Sequence, residues 1–392
     1  MSKNILLVTS VWSGAKPVFF EGKNDSSGMP AFNKMLEKLS QDKNIKLEII
    51  LLCNEEEYKF ELKKANWLNN VHVVKFYWNR ESLFNNITSC YKLFKITNTI
   101  IKTKSIDLVY LHGTLGFPSY ISARINQIEV GQRIYGTFLR EKIAHNGIIK
   151  TFITSPFESA AFKCKKKFLI VTDDGTHGDE VVKSFNNELI PYDFYFLQNG
   201  VKTENKNVFN FNNANKYIFY PARITNWKRQ DLAIDFLNGL TNKNIKLYFA
   251  GKIIDDQYYN NLRNKITNLN LNDRVIFLGE LTHKETQNYM ENALAVAAFY
   301  DVSCKGNVAL EAIAAECLFI SYKNRGLDSL IVDNYSGVLG SSIEDCISKF
   351  NNIIDKEENF LFIKENLKND NKIMSWDQRL DLEYSILVNS KG

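Results

Sequence analysis

Arg223 and Lys228 stand in the stretch Tyr217-Ile-Phe-Tyr-Pro-Ala-Arg223-Ile-Thr-Asn-Trp-Lys228, which leaves an apolar run and enters an amphipathic pattern. Just past a strand and before a helix, these cations suit a diphosphate, the guanidinium as a planar fork and the ammonium as a point charge. The plain alternative is a pair of solvated basic residues in a loop. Further on, the apolar run Ala293-Leu-Ala-Val-Ala-Ala-Phe-Tyr300 gives way to Asp301-Val-Ser-Cys-Lys-Gly306-Asn307-Val308, then to helical periodicity through Glu311, Ala312 and Ala315. A loop of small residues entering a helix leaves backbone N–H groups unpaired, and the helix dipole favours an anion there. Phosphate binding is the chemistry the two stretches share. Each is a weak signal alone, because any strand-loop-helix unit has these properties.

The elements around them follow an α/β pattern. An apolar strand at 5–9 leads into a loop with Gly14, Gly22 and Gly28, then a helix placing Phe32, Met35, Leu36 and Leu39 on one face. Strand, glycine loop and helix open a doubly wound domain. Further strands are expected at 47–52, 71–76, 108–111 and 168–172, with helical segments between them, which argues for a largely parallel sheet. Residues 202–215 are rich in Asn and poor in aliphatic side chains, the composition of a surface linker. A second α/β series follows, with strands expected at 217–220, 246–250, 275–278, 294–299 and 318–321. The expected organisation is an N-terminal domain over 1–204, a C-terminal domain over 216–374 and a terminal helix over 375–392. Two such domains imply a cleft, with ligands beyond the carboxyl ends of the strands.

Composition narrows the classes. The 392 residues are 45% hydrophobic and 24% charged, as in an ordinary globular protein. A net charge of +5 falls short of what nucleic-acid binding concentrates, so no nucleic acid is expected. The six cysteines, at 53, 90, 164, 304, 317 and 346, show no zinc-type pairing and read as reduced thiols of a cytoplasmic protein. The opening Met1-Ser-Lys-Asn-Ile-Leu-Leu-Val-Thr-Ser reads as a buried strand rather than a secretory signal, and no run approaches the roughly 20 apolar residues of a membrane span.

Other candidates have bland readings. Asp173, Asp174, His177, Asp179 and Glu180 gather after a strand, where acidic residues favour a helix start, and their spacing fits no calcium loop. No metal is expected. The basic run Phe162-Lys-Cys-Lys-Lys-Lys-Phe168 reads first as a solvated face and second as a contact for a membrane surface or an anionic acceptor. Tyr135 and His112 read as packing residues at strand ends.

Taken in order, Arg223 and Lys228, Leu247-Tyr-Phe-Ala-Gly251, Val275-Ile-Phe-Leu-Gly279-Glu280-Leu281, Gly306-Asn307-Val308-Ala-Leu-Glu311, Asn324-Arg-Gly326 and Gly337 form a recognisable succession. It resembles the second domain of the family-4 retaining glycosyltransferases, which have the GT-B fold of two Rossmann-like domains facing each other across a cleft. Leu197-Gln-Asn199-Gly200-Val201 looks like that family's Asn-Gly-Val before the interdomain crossing. Arg133-Ile-Tyr135-Gly136-Thr137 lies where relatives often have His-Gly, and Ser375-Trp376-Asp377 is similar to the start of their terminal helix.

The resemblance implies roles. Arg223 and Lys228 would hold the donor diphosphate and Glu311 the ribose hydroxyls. The Gly306-Asn307-Val308 backbone would approach phosphate, Gly279-Glu280-Leu281 would meet the base, and Gly28 would let the first domain approach the diphosphate. Tyr135 and Thr137 would contact acceptor or phosphate. Ser303 stands where relatives carry a first glutamate near the donor sugar, which removes a charged acceptor there. Ala222 and Glu316 replace usual glycines, and Tyr135 a frequent histidine. The expected activity is metal-independent transfer of a hexose from a UDP- or GDP-linked sugar to a saccharide or lipid-linked acceptor, in bacterial surface-polysaccharide assembly. The expected location is the cytoplasm, with peripheral contact at the inner face of the membrane. No cofactor is implied beyond the nucleotide sugar. The rivals are a nucleotide-sugar epimerase of the same fold and a donor-binding scaffold without catalysis.

Overall fold

Short apolar runs bounded by turns become strands buried on both faces, as a parallel sheet covered by helices on each side requires. The computed structural model describes residues 2–12, 14–24, 29–187, 189–202, 216–323, 326–369 and 373–389. The chain divides into two units, one of residues 1–173, 177–198 and 377–392, the other of 174–176 and 199–376.

In the first unit the strands are β1 (Lys3–Ser10), β2 (Ile45–Cys53), β3 (His72–Tyr77), β4 (Leu108–His112), β5 (Glu129–Ile134), β6 (Phe168–Thr172) and β7 (Asp193–Leu197). They pair in parallel in the order β3-β2-β1-β4-β5-β6-β7. Alternation along β1 sends Ile5 and Leu7 into one apolar core and Leu6 and Val8 into another, one on each face. In the second unit β8 (Tyr217–Pro221), β9 (Lys246–Ala250), β10 (Val275–Gly279), β11 (Ala295–Ala298), β12 (Leu318–Tyr322) and β13 (Val338–Gly340) pair in the order β10-β9-β8-β11-β12-β13, again in parallel. In each sheet the order reverses between two central strands, β1 with β4 and β8 with β11. That is where doubly wound sheets open a crevice for ligands.

The strands expected from apolar runs are present, with ends that agree to within two residues. Three further strands, β5, β7 and β13, escape that reading. β5 escapes because it carries Gln132 and Arg133, both buried. Gln132 Nε2 donates to the Gly113 carbonyl at 3.1 Å, and Arg133 meets the terminal helix Trp376–Asn389. Glu383 receives Arg379 Nη2 at 2.6 Å and the Tyr110 hydroxyl at 2.7 Å, and Arg133 Nε lies 3.5 Å away. All three charged side chains are at most 1% exposed.

Gly200 sits where any Cβ would come within 2.6 Å of Trp376 Cα. That close approach lets Val201 pair in parallel with Ser375, with Val201 N–H donating to the Met374 carbonyl and Trp376 N–H to the Val201 carbonyl.

Candidate functional site

Beyond β8 the backbone is pinned before it carries any cation. Ala222 N–H donates to the Ala250 carbonyl and Ile224 N–H to that of Lys252. Gly251, at φ 147°, passes so near that a Cβ would lie 2.3 Å from the Ala222 oxygen. Arg223 follows with an exposed side chain, its carbonyl accepting from Gln230 Nε2 at 3.0 Å. A single 3-10 turn, Asn226–Lys228, then carries Lys228, whose carbonyl accepts from the Tyr220 hydroxyl at 2.6 Å. Lys228 Nζ stands 3.4 Å from the Tyr300 ring centroid and 4.0 Å from that of Trp227. Burial brings its pKa down to about 8, with Cys304 opposing and Arg223 pushing it further down.

The neighbouring strand β11 delivers the other half. Buried Tyr300 leads to Asp301, whose N–H donates to the Trp227 carbonyl and whose carboxylate takes Arg229 at 2.9 Å. Ser303 Oγ donates to the Asp174 carbonyl at 2.7 Å and accepts from Lys305 N–H at 3.1 Å. Gly175, at φ 79°, leaves no room for a Cβ, which would fall 2.0 Å from Ser303 Oγ. Helix Asn307–Ala314 starts at Gly306 with no side-chain cap, and a Cβ on Gly306 would meet nothing within 4 Å. Its first N–H groups, at the positive end of the helix, thus carry no side-chain cap. Asn199 Nδ2 donates to Asn307 Oδ1 at 2.8 Å and holds that side chain.

Glu311, half-buried on the same helix, lies 3.4 Å from His283 Nε2. His283 begins helix His283–Asn292, capped reciprocally by Thr282 and Glu285. Just before it come Gly279 at φ 74°, exposed Glu280, and Leu281 packed on the core. The His283 contact thus ties Glu311 to the helix that follows the Gly279–Leu281 turn.

Tyr135 and Thr137 belong to the first unit. The Tyr135 hydroxyl and His112 Nδ1 are hydrogen-bonded at 2.8 Å, and Thr137 Oγ1 donates to Glu158 while accepting from Leu139 N–H. Gly28 lies outside the described residues, as do Asn324 and Arg325 of the expected succession. Asp174 caps its own turn through Thr176, and Glu180 pairs with Arg140 and His177. Among the described residues no three His, Cys, Asp or Glu side chains are grouped to hold a metal ion. The basic run is split by burial: Phe162, Lys166 and Phe168 are inside and Lys163 and Lys165 outside, so it presents no joint aromatic and cationic face.

Sequence reasoning missed the Trp227–Tyr300 cage, His283 and the Asn199–Asn307 bond. The placement of Trp227 beside Lys228 was the one available signal, since the other partners are remote in the chain.

Residues 201–370 match the model of the family described as glycosyl transferases group 1. An uncharacterized glycosyltransferase of Methanocaldococcus jannaschii is 24% identical over 346 residues, spanning 86% of this chain and 88% of that protein. Among solved structures, Anabaena HepE in complex with UDP and glucose superposes with a TM-score of 0.67 at 14% identity, covering 99% of this chain and 100% of the other. The lipopolysaccharide outer core galactosyltransferase WaaB, in its apo form, does so at 0.69 and 14%, with the same coverage. No helix among the described residues is long and apolar enough to cross a membrane. With two doubly wound parallel sheets, the chain has the GT-B fold of these glycosyltransferases, and over residues 201–370 it is similar to glycosyl transferases group 1.

Proposed function

We propose that this protein transfers a hexose from a UDP- or GDP-linked sugar to a hydroxyl of a saccharide or glycolipid, with retention at the anomeric carbon. The observation that carries this reading is that, past the paired strands β8 and β11, Lys228 stands against Tyr300 and interacts electrostatically with Arg223 and with Cys304, which lies two residues before the uncapped helix start at Gly306. Two cations and a row of backbone N–H groups match a diphosphate leaving group. In the reaction the bond from the anomeric carbon to the β-phosphate oxygen breaks. The acceptor oxygen bonds to the same face of that carbon, and the departing phosphate takes the acceptor proton. No strong protein base is needed. Arg223 and Lys228 neutralise the charge that develops on the phosphate, so no resident metal is required. Asn307 and Val308 N–H meet phosphate, Glu311 accepts from ribose hydroxyls, and Gly279, Glu280 and Leu281 border the base. Tyr135 and Thr137 lie on the acceptor side.

HepE was solved with UDP and glucose, and WaaB is by name a lipopolysaccharide transferase. These likenesses favour a nucleotide-sugar donor and an acceptor in bacterial surface-polysaccharide assembly, met peripherally at the inner face of the membrane. One observation favours the scaffold reading: Ser303 spends its hydroxyl on the Asp174 carbonyl, at the position where relatives offer a carboxylate to the sugar. A panel of UDP- and GDP-sugars, followed for nucleotide release in EDTA with and without glycolipid acceptors, separates the readings. Acceptor-dependent release is the expected result. A changed sugar without release would instead mean an epimerase, and saturable donor binding with neither would mean a scaffold.

A further inference from the structure

Within the first unit, a cavity of about 520 Å³ opens at the carboxyl ends of β1, β2 and β3, a volume suited to a small ligand. Its accessible aromatic wall is Tyr77, half-exposed with its ring 5.6 Å from that of Tyr58; Trp78 closes the floor from the core, packed on Phe76 and Phe157 with its indole N–H committed to Asn86 Oδ1 at 2.9 Å. The charged lining is Glu55, Glu57 and Glu81 against Arg80 alone. Local bonds hold the carboxylates in place: Glu57 through its reciprocal cap with Asn54, and Glu81 through Asn79 Nδ2 at 3.2 Å. The Tyr77 hydroxyl is pushed up by desolvation and by the carboxylates of Glu81 and Glu55, with Lys59, which pairs with Glu55 at 2.6 Å, opposing.

A pyranose presents a C–H face and a rim of hydroxyl donors. Aromatic rings and acceptor-only carboxylates match the two. The excess negative charge opposes an anionic sugar and tolerates an amine. Beside the cavity starts helix Leu83–Lys104, capped by Ser82. Leu83, Phe84, Ile87 and Tyr91, the first of them two residues past Glu81, are 78%, 73%, 58% and 57% exposed. Their spacing sets them within an arc of about 100° on the helix, an apolar stripe that begins two residues past the cavity-lining Glu81.

We propose that the cavity and the stripe form one acceptor site, for an amphiphile with an uncharged or amino-bearing sugar head and a lipid tail. The name acceptor rests on the transferase reading above; the binding chemistry does not.

Affinities of the full chain for octyl glucoside, octyl 2-amino-2-deoxyglucoside, octyl glucuronide and methyl glucoside, all below micelle-forming concentrations, test the site by calorimetry. The first two should bind at least about tenfold tighter than the glucuronide, a difference of about 1.4 kcal/mol. The wild-type comparison needs no variant. The pair Glu57→Gln and Glu81→Gln should bring the glucuronide to within about threefold of the glucoside, and Phe84→Ser with Ile87→Ser should weaken octyl but not methyl glucoside. Equal affinity for the glucuronide, absence of glycoside binding, or indifference to both variant pairs would overturn the proposal. UDP and GDP titrated in parallel separate the failures. A wild type that binds either nucleotide but no glycoside loses the acceptor site alone, whereas one that binds glycosides but neither nucleotide keeps this site and loses the transferase reading.

Discussion

Lys228 carries its charge against its surroundings. Burial holds the ammonium near pKa 8, so the unliganded protein loses that charge as pH rises through about 8. A diphosphate beside it would favour the charged form. UDP affinity should therefore fall by about tenfold between pH 7 and pH 9, and Lys228→Arg should flatten the curve; a flat wild-type titration would remove Lys228 from the diphosphate site. For stability the sign is opposite. The unfolded lysine binds its proton up to about pH 10.5, so the cost of burying the charge is full below pH 8 and fades as pH rises between the two values. Arg223→Ala and Lys228→Ala should each lower kcat by about 10²- to 10³-fold while moving Tm by less than about 3 °C. Steady-state rates alongside thermal melts check both. Both cations were legible in the sequence because their types and positions between strand and helix are local features. The Tyr300 ring over Lys228 was not, because it arrives from the neighbouring strand β11.

Elements place these side chains by close backbone approach. The loops after β8 and β9 cross at Ala222 and Gly251 with no space for a Cβ, and Arg223 is the next residue. Gly251→Ala must displace that crossing. A loss of about 1–3 kcal/mol in urea unfolding is expected, together with UDP affinity weakened about tenfold or more. Unchanged UDP affinity in the variant would mean that the crossing does not position Arg223. At the scale of elements most strands could be read from apolar runs, since a strand covered on both faces is apolar along its length. β5 could not. Its Gln132 and Arg133 look like surface residues until the Gly113 carbonyl takes the amide and the terminal helix supplies a buried carboxylate to the guanidinium.

Across the whole chain, the first unit is closed by its most distant segment. Glu383, on the terminal helix, lies between Arg133 and Arg379, and the two guanidiniums hold its carboxyl below the usual range although burial alone would raise it. Nearby His112 is kept neutral, its pKa brought down to about 3 chiefly by burial, with Glu383 opposing and Arg133 adding to the shift. An unfolded histidine takes up its proton near pH 6.5, so the unfolded chain binds more protons as pH falls from there toward 3, and stability falls with it. The Glu383 contribution, present above the unfolded carboxyl value, is lost in the same direction as pH falls through its folded value. The urea midpoint should thus drop between pH 7.5 and pH 5, less steeply in His112→Gln. Glu383→Gln, which leaves two buried guanidiniums without a counter-charge, should cost about 3–5 kcal/mol at pH 7.5. An unchanged midpoint in that variant would show the cluster to be energetically neutral.

The amino-acid sequence determined the alternation of strands and helices, the two doubly wound series, and the places where cations and an open helix start follow a strand. Each of these depends on side chains within one turn or one strand of each other. Only the tertiary structure decided what those groups meet. Ser303 binds the Asp174 carbonyl, Asn199 steadies Asn307, His283 reaches Glu311, and Trp227 and Tyr300 enclose Lys228. Most of these contacts join residues far apart in the chain, where local propensity carries no information and burial alone creates the need for a partner.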